Sequence, residues 1–170
     1  MKHLQRIDEF LSSPYNWDWT KSVLTSTKLG VLGWREWVDL PELGISAIKT
    51  KLDTGARTSA LHATQIQTFE ESGQLWVSFV VEAGQAYSCK ARVIDQRSVK
   101  DSGGYSQLRY VIETRLNMGD QSFPIELSLS DRTDMRFPLL LGRSALKGRF
   151  LVDSQSSFLL GGDKDAPSGN

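Results

Sequence analysis

The sequence predicts an all-β fold in one domain, on three observations. From residue 29 onward, short apolar stretches alternate with turn residues at fairly even spacing, the pattern of a β-sandwich or barrel. Helical periodicity is confined to the first residues and to "RSALKG" at 143–148. Neither an internal repeat of roughly 20 to 50 residues nor a heptad series interrupts this.

Residues 1–28 read as an N-terminal arm. Leu4, Ile7, Phe10 and Leu11 hold helical spacing until Ser12, Ser13 and Pro14 end it. The aromatics Tyr15, Trp17 and Trp19 follow and suggest packing on the body or on a neighbouring subunit. The body spans 29–160. In it, "VLGWREWVDL" ends at Pro41, and "ISAIKTKLDT" puts Ile45, Ala47 or Ile48, and Leu52 on one face. "LWVSFVVEA" reaches Gly84 and "AYSCKARVID" follows. "YSQLRYVIETRLNM" closes on Gly119-Asp120, a hairpin signal before "SFPIELSLS". "FPLLLG" reads as a strand buried on both faces. The tail, 161–170, is polar, rich in Gly and Pro, and expected to be flexible.

Composition narrows the function. The chain has 170 residues, 39% hydrophobic and 24% charged, enough for one continuous core and ordinary for a globular protein. Its formal net charge is zero, so no global field favours nucleic acid or an anionic membrane, and neither is expected as a partner. No run approaches the roughly 18 to 20 apolar residues of a membrane span. Asp8, Glu9 and Asp18 interrupt any signal-like core, so a cytoplasmic chain is expected. The single cysteine, Cys89, agrees with a reducing compartment and reads as a small buried strand residue.

Several chemistries lack their residues. The only histidines are His3 and His62, too few and too far apart for paired-histidine metal hydrolysis, and His62 reads as a polar residue in a turn. A Ser-His-Asp or Cys-His arrangement would need one of the same two. "LGRSALKGR" lacks phosphate-loop spacing, and no dinucleotide fingerprint is present. No metal or cofactor is expected.

What remains is "TKLDTGARTSALHA", residues 50–63. Asp53 ends an alternating strand, and Gly55 allows a tight turn and close approach of another chain. Thr54 and Ser59 can hydrogen-bond nearby backbone and fix the loop. Those three letters alone are an ordinary turn. Beside a second carboxylate they become an acid–base pair sharing one proton, because two like charges at contact cannot both ionise cheaply.

The order Asp53, Thr54, Gly55, Ala56, Arg57, Ser59 resembles the active-site loop of retropepsin-like aspartic peptidases. "FPLLLGRSAL", 137–146, is similar to the apolar-Gly-Arg segment and short helix that pass beside that loop, and "DSGGYSQLRYVIET", 101–114, resembles a flap tip and its returning strand. The resemblance implies a single-lobe, retropepsin-like closed β-barrel (the acid protease fold) with one short helix and an N-terminal arm. It implies Asp53, Thr54 and Gly55 as catalytic, Ala56 and Ser59 as loop support, and Gly103, Gly104 and Tyr105 at the flap. Residues 29–160 also resemble the bacterial family named ATP-dependent zinc proteases, associated with RimK-type glutamate ligases. That resemblance rests on "GWREWVDLPELGI", "RYVIETRL", "LSLSDRTDMRFPLLLGRSAL" and "FLVDSQSSFLL". Its name implies zinc and ATP, for which the chain offers neither ligand set nor phosphate loop.

An aspartic peptidase needs two carboxylates, and this length has room for one lobe. The retropepsin solution is a homodimer with Asp53 from each subunit on the two-fold axis. Asp101 of "DSG" and the pair Asp131 and Asp134 of "SDRTDM" are internal candidates for the second carboxylate. Arg57, Arg109 and Arg143, with Arg132 and Arg136 nearby, would suit an acidic peptide, since guanidinium binds carboxylate through two parallel bonds. The family association extends this to trimming glutamate-rich tails of a ribosomal protein. The reading is therefore an aspartic-type peptidase. A non-catalytic acidic-peptide-binding module of the same fold and a zinc-dependent protease stand as alternatives.

Overall fold

The structure, a computed structural model, describes residues 29–100, 104–131, 136–162 and 164, apart from the side chain of Lys100. The predicted arm at 1–28 and most of the 161–170 tail lie outside these residues.

Among the described residues are eleven strands and one α-helix. The strands are β1 (Gly30–Gly33), β2 (Arg35–Leu40), β3 (Ile45–Leu52), β4 (Ser59–His62), β5 (Thr64–Glu71) and β6 (Gln74–Glu82). They continue with β7 (Ala86–Lys100), β8 (Ser106–Met118), β9 (Gln121–Ser130), β10 (Leu139–Leu141) and β11 (Phe150–Asp153). The helix α1 is Arg143–Leu146. Strands pair in the order β2-β3-β10-β4-β9-β8, and β2 closes on β8 through Asp39 opposite Asn117. The result is a closed six-stranded barrel, the fold class expected from the sequence. From β8 the sheet continues outward through β7, β6 and β5.

The barrel closes because its strands alternate. On β9, Phe123, Ile125, Leu127 and Leu129 point inward, while Ser122, Pro124 and Glu126 stay exposed. On β3, Ala47 takes a left-handed φ of 57° and its N–H donates to Asp39 Oδ1 at 2.7 Å. This irregularity shifts the register beside Val38 and Leu40, so Ile45 and Ile48, three residues apart, both face inward. It settles the choice between Ala47 and Ile48. The outer strands share the same core, since Val77, Phe79, Val81, Cys89 and Ala91 belong to the buried cluster that holds Ile48, Leu61, Leu116 and Leu139.

One reading needed correction. His62 does not sit in a turn: it ends β4, its N–H donating to Pro138 O at 2.8 Å. β7 runs to Lys100 and pairs with β8 to Ser106, so the polar "RSVK" at 97–100 lies within it.

A second small sheet joins the two ends of the body. β1 and β11 pair in parallel, and a Cβ on Gly33 would lie 2.5 Å from Ser156 O. Glu36, fully buried, accepts N–H bonds from Gly33 (2.7 Å), Leu159 (2.9 Å) and Leu160 (3.3 Å). Trp37 stacks on Phe158 with ring centroids 6.0 Å apart. "GWREW" and "SSFLL" are therefore the two halves of one structural clasp.

Candidate functional site

The Asp53 loop lies between β3 and β4 and is held at both ends by the β10–α1 segment. At its entry, the Asp53 N–H donates to Leu141 O at 2.8 Å, continuing the pairing of β3 with β10. At its exit, the buried Ser59 hydroxyl accepts the Gly142 N–H at 3.1 Å. Between these, the N–H groups of Arg143 and Ser144 donate to the carbonyls of Ala56 (2.9 Å) and Arg57 (3.0 Å). Those are first-turn amides with no partner inside the helix, so the loop and α1 satisfy one another. Arg143 Nη1 then reaches back to the carbonyls of Thr54 (3.0 Å) and Gly55 (2.9 Å).

Within this frame the carboxyl group of Asp53 is oriented by its own loop. Its Oδ1 accepts N–H bonds from Gly55 at 3.2 Å and Ala56 at 3.3 Å. Asp53 is half-buried, while Thr54 and Gly55 are exposed. One carboxyl oxygen is thus tied to the backbone and the other is left for a ligand. A fixed, solvent-facing carboxyl at a tight turn can accept a proton from a bound water or share one with a second carboxyl group.

Beside the loop, a cavity of about 610 Å³ is lined by Arg57 and Thr58 of the loop, Arg97 of β7, Glu126 of β9 and Ser144 of α1, among others. Arg97 donates from Nε to Asp95 Oδ2 at 2.6 Å and from Nη2 to Glu126 Oε2 at 2.8 Å. These contacts hold Asp95 below the usual carboxylate range, chiefly through the Arg97 hydrogen bond and then the Gln96 N–H. They raise the Arg97 guanidinium further, through Glu126 first.

The structure brings Asp53, Thr54, Gly55, Ala56, Arg57, Ser59 and Arg143 into one loop assembly. Arg143, expected at the substrate, has its Nη1 engaged in holding that loop. Arg109 lies on β8 opposite Arg97, and Asp131 is exposed just after β9. Gly104 and Tyr105 are exposed beside the end of the β7–β8 hairpin, and Gly104 has a φ of 84°. Asp101, Gly103, Arg132 and Asp134 lie outside the described residues. Among the described residues, no group of three His, Cys, Asp or Glu side chains could hold a metal ion. No helix among them is long and apolar enough to cross a membrane.

Sequence reasoning passed over Asp95, Arg97 and Glu126. The spacing of Asp95 and Arg97 in "DQR" puts both on one face of a strand, a signal that was legible once β7 was known to extend so far. The meeting of Arg97 with Glu126 crosses three strands and has no local signature.

Residues 31–161 match the family described as "Retropepsin-like aspartic endopeptidase RimB". A probable alpha-L-glutamate ligase of Shewanella pealeana is 40% identical over 136 residues, covering 77% of this chain and 30% of that protein. A protein of the same description from Desulfotalea psychrophila is 43% identical over 136 residues, covering 77% and 29%. The chain thus spans about a third or less of the curated relatives it matches. A crystal structure of a Legionella pneumophila protein with unknown function superposes with a TM-score of 0.67 at 26% identity, covering 77% of this chain and 98% of that one.

Proposed function

Because this chain belongs to the RimB-like family of retropepsin-like aspartic endopeptidases, we propose that it is an aspartic-type peptidase in which Asp53 activates the attacking water. The observation that carries this reading is the Asp53 carboxyl, fixed through Oδ1 by the Gly55 and Ala56 amides and open on its other side. Asp53 of a second copy supplies the other carboxyl in a homodimer. The two share one proton. The ionised group takes a proton from water as its oxygen bonds to the peptide carbonyl carbon, and the protonated group donates to the carbonyl oxygen. The tetrahedral species collapses when its C–N bond breaks and the leaving nitrogen takes a proton from the pair. Thr54, exposed beside Asp53, meets its counterpart across the axis.

The substrate we propose is an acidic peptide, in particular a glutamate-rich tail such as one on a ribosomal protein, met in the cytoplasm. Arg57 and Arg97 in the adjoining cavity support it, as does the glutamate chemistry in the names of the curated relatives. Those names, and the share of those proteins matched here, also favour a second reading. In it, the same fold holds acidic peptides without cutting them.

Incubating the protein and its Asp53→Asn variant with glutamate-extended and ordinary peptides, with products followed by mass spectrometry, separates the readings. Cleavage that Asp53→Asn abolishes, and that survives exhaustive chelation, is the expected result. Equal cleavage by both proteins sinks the role of Asp53, and loss on chelation with recovery on adding zinc makes the reaction zinc-dependent. Tight binding with no product, kept in the variant, establishes the binding module.

A further inference from the structure

Two guanidinium groups line the cavity beside the Asp53 loop, and they are held differently. Arg57 comes from the loop itself, is exposed, and makes no ion pair among the described residues. Arg97 comes from β7 and is fixed from two sides, by Asp95 on its own strand and by Glu126 on β9. A guanidinium has five N–H donors, and two of those of Arg97 are engaged by these carboxylates. Three donors remain on a group whose orientation is already set, so a ligand that binds it orders no further side-chain rotamers there. With Asp95 and Glu126 included, the four side chains carry no net charge. The cavity therefore offers little long-range pull on anions in general, and its selectivity comes from contact geometry.

We infer that Arg97 is a specificity-determining residue of this cleft: oriented by Asp95 and Glu126, it receives the side-chain carboxylate of an acidic peptide together with Arg57, while Glu126 competes with that carboxylate. The inference rests on the peptide-handling reading above and adds to it the group that decides which peptides gain. A substrate carboxylate that reaches both guanidiniums takes donors left on Arg97 and on Arg57, and these charge-assisted bonds to two cations outweigh the repulsion of the nearby Glu126 carboxylate. A neutral side chain of the same size leaves Arg97 paired with Glu126 and gains nothing. Glu126 thus sets a threshold, and removing its charge lowers that threshold.

The test is equilibrium binding at fixed ionic strength in an Asp53→Asn background, so that no turnover intervenes. The probes are a peptide carrying five consecutive glutamates and its counterpart carrying five glutamines. Arg97→Gln is expected to weaken the glutamate peptide about tenfold or more while leaving the glutamine peptide within about twofold. Arg97→Lys restores part of the difference by returning the charge without the fork. Glu126→Gln tightens the glutamate peptide severalfold. An unchanged glutamate-to-glutamine ratio in Arg97→Gln overturns the inference, as does weaker glutamate binding in Glu126→Gln or no binding of either peptide by the Asp53→Asn parent. Circular dichroism and a melting curve on each variant show that a lost ratio is not a lost fold. Because none of these readouts needs cleavage, a protein that binds selectively but never cuts refutes the peptidase reading and leaves this one standing.

Discussion

Gly142 and Thr58 stand too close for any side chain between them. A Cβ on Gly142 would lie 2.5 Å from the Thr58 carbonyl oxygen and 2.9 Å from its nitrogen, against backbone that has no room to swing away. The φ of −83° at Gly142 is open to any residue, so the glycine is required by contact and not by conformation. Here β10 passes directly under the Asp53 loop, and the Gly142 N–H meets Ser59 Oγ. Gly142→Ala should therefore destabilise the fold by about 1–3 kcal/mol, the usual range for overpacking, and move the loop with it. Urea unfolding measures the first and turnover the second. A variant of unchanged stability and activity would show that the contact is soft.

Arg143 acts on the same loop from its exposed side. One Nη1 bridges the carbonyls of Thr54 and Gly55, and the residue as a whole is exposed. Exposed hydrogen bonds contribute modestly to folding, so Arg143→Ala should cost less than about 2 kcal/mol. Its effect on catalysis should be larger, because a shift of about 1 Å in a catalytic group can lower the rate roughly a hundredfold. A fall in kcat at nearly constant melting temperature is the expected signature. A rise in KM alone would instead assign Arg143 to substrate binding.

How much of this was legible in the sequence depended on whether the signal was local. Asp53 to Ser59, the apolar β10 and the short α1 carry their meaning in adjacent letters, and the structure assembles them as one unit. β4 was hidden because Ser59, Ala60, Leu61 and His62 look like the rest of a polar loop; only pairing with β9 and β10 makes them strand. β5 was missed for a related reason. "TQIQTFEE" has few inward residues, since it edges the sheet and pairs on one side with β6. The bulge at Ala47 hides the period of β3, which changes partway along. Arg97 and Glu126 lie 29 residues apart and meet only through the order of three strands.

Glu36 is a fully buried acidic residue bonded to backbone amides. Its carboxyl oxygens accept three backbone N–H bonds, one from the β1 end and two from Leu159 and Leu160, so it fastens the last described segment to β2. Glu36→Ala leaves three amides without their partner, the Gly33 one buried and the Leu159 and Leu160 ones partly so, and should cost about 3 kcal/mol. Glu36→Gln keeps one acceptor oxygen and should cost visibly less. Urea midpoints with unchanged slope give both values. If Glu36→Ala cost under about 1 kcal/mol, the clasp would be held by Trp37 and Phe158 instead.

Cys89 provides a pH readout of the core. It is buried on β7 with its Sγ 3.6 Å from Leu43 O, and burial pushes the thiol up to about 11 from 9.0. The cause is desolvation, which penalises the thiolate and leaves the neutral thiol unharmed. A folded-state value above the unfolded one means this contribution is fully present below pH 9 and is lost as pH rises from there toward 11. Folded protein at pH 8 should alkylate with iodoacetamide far more slowly than the same chain in urea. Cys89→Ala should flatten part of the stability loss between pH 9 and 11. Rapid labelling of the folded chain at pH 8 would mean that β7 opens often enough to expose Cys89, and the alkaline loss would then need another group.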